Sequence, residues 1–104
     1  MIDIKAFFYY LKGIFDATKI SDVNIAQILT AETNENTILK LTGVWRKYEK
    51  YSEVFDKIQR ILDVLPCCII KDLTVTEKYN REWELSVEIR NINIEEFVIK
   101  INNG

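Results

Sequence analysis

Hydrophobic and polar positions follow two different periods along this chain. From Arg81 to Asn91, REWELSVEIRN, Trp83, Leu85, Val87 and Ile89 fall on one side of an extended chain, and Glu82, Glu84, Ser86, Glu88 and Arg90 on the other. Period-two alternation predicts a half-buried strand in an antiparallel sheet, apolar inward and solvated outward. Near the start, Ile4, Phe7, Phe8, Leu11, Ile14 and Phe15 recur at three- and four-residue spacing. That pattern predicts a helix from about Asp3 to Ala17 with one broad apolar face.

The stretch Lys19 to Asp22 breaks this helix, and Val23 to Ala31 reads as a strand of mixed alternation. Glu32-Thr33-Asn34-Glu35-Asn36 is polar and turn-rich, so Thr37 to Trp45, with Leu39, Leu41 and Trp45 alternating against Lys40, Thr42 and Val44, returns as the second arm of a hairpin. Gly43 lies near the end of that arm, where a missing side chain permits a bulge or the close approach of a neighbour.

A second helix is predicted over Tyr48 to Leu65, with Tyr51, Val54, Phe55, Ile58, Ile61, Leu62 and Leu65 as its stripe, and Glu53 with Lys57 and Asp56 with Arg60 as i,i+4 pairs on the wet side. Pro66, the only proline, ends it. Cys67 to Thr76 is rich in β-branched residues and reads as a third strand, Glu77-Lys78-Tyr79-Asn80 as a turn, and Arg81 to Asn91 as the fourth strand. Ile94 to Ile101 alternates weakly and fits either a fifth edge strand or a short helix.

The order α-β-β-α-β-β is two copies of a helix followed by a hairpin. Two such units bury all their apolar stripes by joining into one four-stranded antiparallel sheet with both helices on one face. The predicted class is therefore α+β, a ferredoxin-like two-layer sandwich whose elements are circularly shifted. Its second sheet face, carrying Lys40, Glu84, Ser86, Glu88 and Arg90, is wet or available to a partner.

Composition narrows the function classes. A chain of 104 residues makes a single domain over positions 1–104 with one core. Hydrophobic residues at 48% and charged residues at 29% are ordinary for a globular protein. A net charge of −2, with Lys and Arg interleaved among acids, argues against nucleic acid as a partner. Apolar runs such as Ala6 to Leu11 fall well short of the roughly 20 residues a membrane span requires, and Asp3 sits where a signal peptide has its positive region.

Catalytic chemistry has little to build on. The sequence contains no histidine, glycine-rich phosphate loop, nucleophile elbow or metal-ligand spacing, and its three glycines stand apart. Glu82, Glu84 and Glu88 line one face of a strand, where alternating acids ordinarily meet solvent. The adjacent Cys67 and Cys68 point to opposite faces of a strand, which disfavours a mutual disulfide and predicts one buried and one exposed thiol. The expectation is a protein with no catalytic residues, no cofactor and no metal. Aromatic residues at 12% exceed what a small core uses, which makes Trp45, Tyr48 and Tyr51, together with Cys67 and Cys68, the candidate interface.

The middle of the chain, LKLTGVWRKYEKYSEVFDKIQRILDVLPCCIIKDLTVTE, followed by a turn and WELSVEIRN, resembles the periplasmic domain of the inner-membrane assembly proteins of type IV pili and type II secretion: PilO, PilN, GspM and GspL. The shared features are a strand ending near Gly43, aromatics at Trp45 and Tyr48, a helix with Val54, Phe55, Ile58 and Leu62, a Leu65-Pro66 exit, and a strictly alternating last strand. The resemblance implies a structural role on the periplasmic side of the inner membrane. There the domain forms a homodimer, or a heterodimer with a homologous domain, among other pilus or secretion components. Members of the family reach the membrane through a preceding helix and coiled coil, segments absent from these residues. Two other classes fit the residues: a small phage or mobile-element protein, acting in tail completion or inhibiting a host defence, with Met1 as its native start; and a ligand-sensing regulatory domain, for which the Gly43 to Lys47 junction is bulky and basic.

Overall fold

A computed structural model of the chain describes residues 2–31, 34–46, 48–77 and 81–103. The Glu32-Thr33 and Lys78-Tyr79-Asn80 portions of the predicted turns, Met1 and Lys47 lie outside the described residues. The elements are α1 (Ile4–Ala17), β1 (Val23–Thr30), β2 (Asn36–Val44), α2 (Tyr51–Val64), β3 (Cys68–Thr76), β4 (Glu82–Arg90) and α3 (Asn91–Asn103). The class is α+β, with a four-stranded antiparallel sheet in the order β1-β2-β4-β3.

The strands thus do not lie in chain order. β2 and β3 run parallel with β4 inserted antiparallel between them, and α2 joins the two parallel strands. This is a split β-α-β unit. β1 adds antiparallel to the outside of β2, so β1 and β3 are the edges. The arrangement is compatible with a ferredoxin-like sandwich.

The expected pair of helices is corrected to three, and the element order to α-β-β-α-β-β-α. Over Ile94 to Ile101 the weak alternation is incidental, because the positions that turn inward are helical neighbours. Ile94 is fully buried, and Phe97 meets the core residue Phe7 edge-on, with ring centroids 6.4 Å apart. Ile99, which alternation would group with Phe97 and Ile101, is 59% exposed. α1 touches both α2 and α3, and the core side of the sheet lies beneath them.

Each helix has a local reason to begin or end where it does. Asp3 caps α1 by accepting from the Ala6 N–H at 3.1 Å. At the other end the Ile20 N–H donates to Phe15 O at 2.8 Å and the Lys19 N–H to Asp16 O at 3.1 Å, a Schellman closure with Lys19 in the left-handed region at φ 57°. In α2, Glu53 accepts from the Lys50 N–H at 3.2 Å, and Arg60 donates to Thr18 O at 2.9 Å, in place of the predicted pairs with Lys57 and Asp56.

The core is one cluster. β2 contributes Leu39 and Leu41, β4 contributes Trp83, Leu85, Val87 and Ile89, and the helices close over them with Phe7, Leu11 and Phe15 from α1 and Val54, Ile58 and Ile61 from α2. The predicted α2 stripe is broader than the buried one: Leu62 is only partly buried, while Tyr51 and Phe55 are 46% and 48% exposed. The strict alternation of β4 is explained by its central place, with β2 and β3 on its two sides.

Candidate interaction surfaces

The residues predicted to form an interface sit at opposite ends of β3. At one end, Trp45 follows β2 but remains in line with its inward side, and its backbone N–H donates to Arg81 O at 2.8 Å. Its indole is 3% exposed and its Nε1 donates to Thr76 O at 3.2 Å, so Trp45 closes the end of the core and offers no free surface. The Arg81 guanidinium lies 4.7 Å from the centre of that ring. Tyr51 packs on it with ring centroids 5.3 Å apart, and Tyr48 is 89% exposed.

The Tyr51 hydroxyl donates to Glu77 Oε2 at 2.7 Å. That hydrogen bond is the main reason the phenol is held above its ordinary pKa, with desolvation and the negative charge of Glu77 adding to it and Arg81 opposing. The group is tied at the surface, between the end of β3 and the start of α2. With Phe55 on the next turn of α2, Tyr48 and Tyr51 leave exposed aromatic surface beside it.

At the other end, Cys67 is exposed and Cys68 half-buried, and both thiols are free. Cys68 opens β3 opposite Ile89 and packs against the core, but it is partly rather than fully buried, so the expected division into one buried and one exposed thiol holds only in part. Burial pushes its thiol pKa up, and the neighbouring Cys67 adds to the shift. The length of β3, roughly 25 Å at about 3.3 Å per residue, separates the cysteines from the aromatic end. The candidate residues therefore do not form one site.

A third surface is the sheet face away from the helices. Its side chains lie in rows set by the strand register: Leu29, Ile38, Glu88 and Ile69 cross the sheet in one row, Gln27, Lys40, Ser86 and Asp72 in the next, and Asn24, Thr42, Glu84 and Thr74 in a third. Lys40 Nζ meets Glu84 Oε1 at 3.3 Å, Lys71 Nζ meets Glu88 Oε2 at 3.3 Å, and Asn36 Nδ2 donates to Glu88 Oε1 at 2.7 Å. Glu84 and Glu88 are thus engaged with cations and an amide on a solvated face.

Leu29 and Ile69 stand at the two edges of this face, 57% and 70% exposed, and pattern reading missed both. In β1 the register shifts between Ile25 and Gln27, and in β3 between Ile70 and Asp72. Each bulge reverses the inward-outward phase. Simple alternation from Val23 and Ile25 carries on to Leu29 as inward, whereas Ile28 takes that role. The available signal was the three-residue spacing from Ile25 to Ile28, and from Ile70 to Leu73, within otherwise extended runs.

Two shallow grooves run between α1 and β1, of about 510 Å³ beside Phe15, Asp16 and Val23 and about 490 Å³ beside Ile4, Ile25 and Ile28, with Phe8 lining both. Among the described residues no group of three or more Cys, Asp or Glu is placed to hold a metal ion, and no helix is long and apolar enough to cross a membrane. No family model matches this chain, and no curated protein and no solved structure matches it either.

Proposed function

We propose that this chain is a non-enzymatic assembly module that works by pairing with a second copy or with a homologous domain. The parallel is the periplasmic domains of PilO, PilN, GspM and GspL in the inner-membrane platforms of type IV pili and type II secretion. The observation that carries the reading is the uncovered sheet face, where Leu29 and Ile69 present large apolar side chains to solvent beside a charged and polar centre. Large apolar side chains held in water on an uncovered sheet face are groups whose burial against a partner favours docking.

The fold adds support. In a β-α-β-β-α-β ferredoxin-like chain, moving the first strand to the end leaves α-β-β-α-β-β, with the split β-α-β unit intact. The order β1-β2-β4-β3 fits that shift, and α3 is an addition to it. On this reading the domain works on the periplasmic side of the inner membrane, reaches the bilayer through a segment outside these residues, and uses no cofactor and no nucleic acid.

Pairing is a weak event for the isolated domain, in the micromolar range or weaker, because no tether raises its effective concentration. Sedimentation of the wild-type chain from micromolar to millimolar concentration, with reductant present, tests it. Reversible dimer formation supports the reading. A species that stays monomeric throughout and binds no homologous domain removes it.

A further inference from the structure

We infer that the uncovered sheet face is a self-complementary interface, and that its occupant is a second copy of this chain related by a two-fold axis lying between the faces and parallel to the strands. The inference deepens the pairing reading above and rests on it. Its ground is the register of charges and apolar groups on the face.

A two-fold axis along the strands, passing over the middle of the sheet, keeps every row at its own height and reverses the strand order. β2 then lies over the partner's β4, and β1 over the partner's β3. Within the row Leu29, Ile38, Glu88, Ile69, this sets Leu29 of each copy against Ile69 of the other, joining the exposed apolar groups at both edges. In the next row Lys40 comes to face Ser86 of the second copy, with Glu84 and Glu88 of that copy one step along the strand on either side. A lysine held between two carboxylates is electrostatically favourable, and symmetry makes the contact twice.

The alternative face-to-face axis, perpendicular to the strands through the Lys40 row, gives the opposite result. It stacks Lys40 on Lys40 and Glu84 on Glu88, like charge against like. Edge-to-edge pairing is opposed by the bulges in both edge strands and by Lys71 and Asp72 in the middle of β3. Of these two axes the charge pattern favours the one parallel to the strands, which is compatible with the near-aligned stacking that sheets adopt.

The test uses Leu29→Lys, Ile69→Glu and the double variant, each sedimented beside wild type over the same concentration series in reductant. Both positions are exposed, and unchanged circular dichroism and melting curves check that each variant folds. Each single variant is expected to weaken dimerisation at least tenfold, since a charge then faces an apolar group across the interface. The double variant is expected to recover most of the loss, because the ammonium introduced on β1 of one copy now meets the carboxylate introduced on β3 of the other. Inside one chain the two positions lie on opposite edges, about 14 Å apart at about 4.8 Å per strand spacing, so they cannot rescue each other there. A wild-type dimer that the single variants leave intact places pairing elsewhere, and overturns this inference while the proposed function stands. Single variants that weaken pairing without rescue in the double overturn the two-fold geometry. A monomeric wild type at millimolar concentration overturns the inference altogether.

Discussion

The indole of Trp83 lies directly over Gly43 on the neighbouring strand, so that a Cβ added at Gly43 would fall 2.3 Å from both Cε2 and Cζ2 of the ring. The pairing of β2 with β4 runs without interruption through this point, from Asn36 opposite Arg90 to Val44 opposite Glu82. Of the two roles open to Gly43, close approach is the one realised. Trp83 is 1% exposed, and its Nε1 has no hydrogen-bond acceptor among the described residues, so packing alone positions the ring. Gly43→Ala must therefore displace the indole or part the two central strands. The expected loss is about 1 to 3 kcal/mol, the usual range for overpacking a filled core. Denaturant melts followed by tryptophan fluorescence read it, and a variant as stable as wild type would show that the ring has room to slide.

Lys19 carries the opposite strain, a side chain where none is wanted. It occupies the left-handed position after α1 at φ 57°, where the Schellman closure sets the chain direction and lets Ile20, 7% exposed, pack beneath. A residue with a Cβ is disfavoured there, and glycine is not. Lys19→Gly is expected to stabilise the protein, by up to about 1 kcal/mol. Thermal melts of the two proteins decide it. Destabilisation would mean that the lysine side chain makes a compensating contact.

How much of this was readable in the sequence depends on where each element sits in the sheet. β4 is central and faces the core on one side only, so its alternation declared both its structure and its orientation. The apolar spacing of α1 was equally plain, though only Phe7, Leu11 and Phe15 are fully inward. The edge strands hid their phase, because a bulge at Ala26 or Lys71 leaves the composition unchanged while it turns Leu29 and Ile69 outward. Trp45 misled in another way. An aromatic just past a strand looks surplus to the core, yet here it seals the open end against Thr76 and Arg81. Phe55, counted into the α2 stripe, lies at its margin and is 48% exposed.

Asn91 fastens the start of α3 to the β1-β2 hairpin. Its Oδ1 accepts from the Thr37 hydroxyl at 2.6 Å, and its Nδ2 donates to Asn34 O at 2.9 Å. Its backbone N–H donates to Glu35 O at 2.7 Å. Thr37 is fully buried, so Asn91→Ala strands a hydroxyl away from water, at an expected cost of about 1 to 3 kcal/mol. In a Thr37→Val background there is no hydroxyl to strand, and the same substitution is expected to cost clearly less. A double-mutant cycle measures the difference. Additive losses would show that the two side chains do not depend on each other.

The two cysteines should separate cleanly by reactivity and by pH. Cys67 is exposed, whereas Cys68 is half-buried with its thiol pKa raised, first by burial and then by Cys67. Only the thiolate attacks an alkylating reagent, so Cys67 is expected to react first and Cys68 more slowly in the folded protein, with both equal once unfolded. The same shift has a consequence for stability. The folded protein keeps the Cys68 proton at pH values where the unfolded chain has released it, so the folded state binds more protons across that window. Stability contributed by this group is then fully present below the unfolded thiol pKa and falls as pH rises toward the folded one, that is, through the alkaline range above about pH 8.5. Replacing Cys68 with Ala removes the titration, and the alkaline decline should become shallower than in wild type. Denaturant melts at pH 7 and pH 10, in reductant, make the comparison. An identical decline in both proteins would assign the alkaline loss to other groups, and faster alkylation of Cys68 than of Cys67 would contradict its placement against the core.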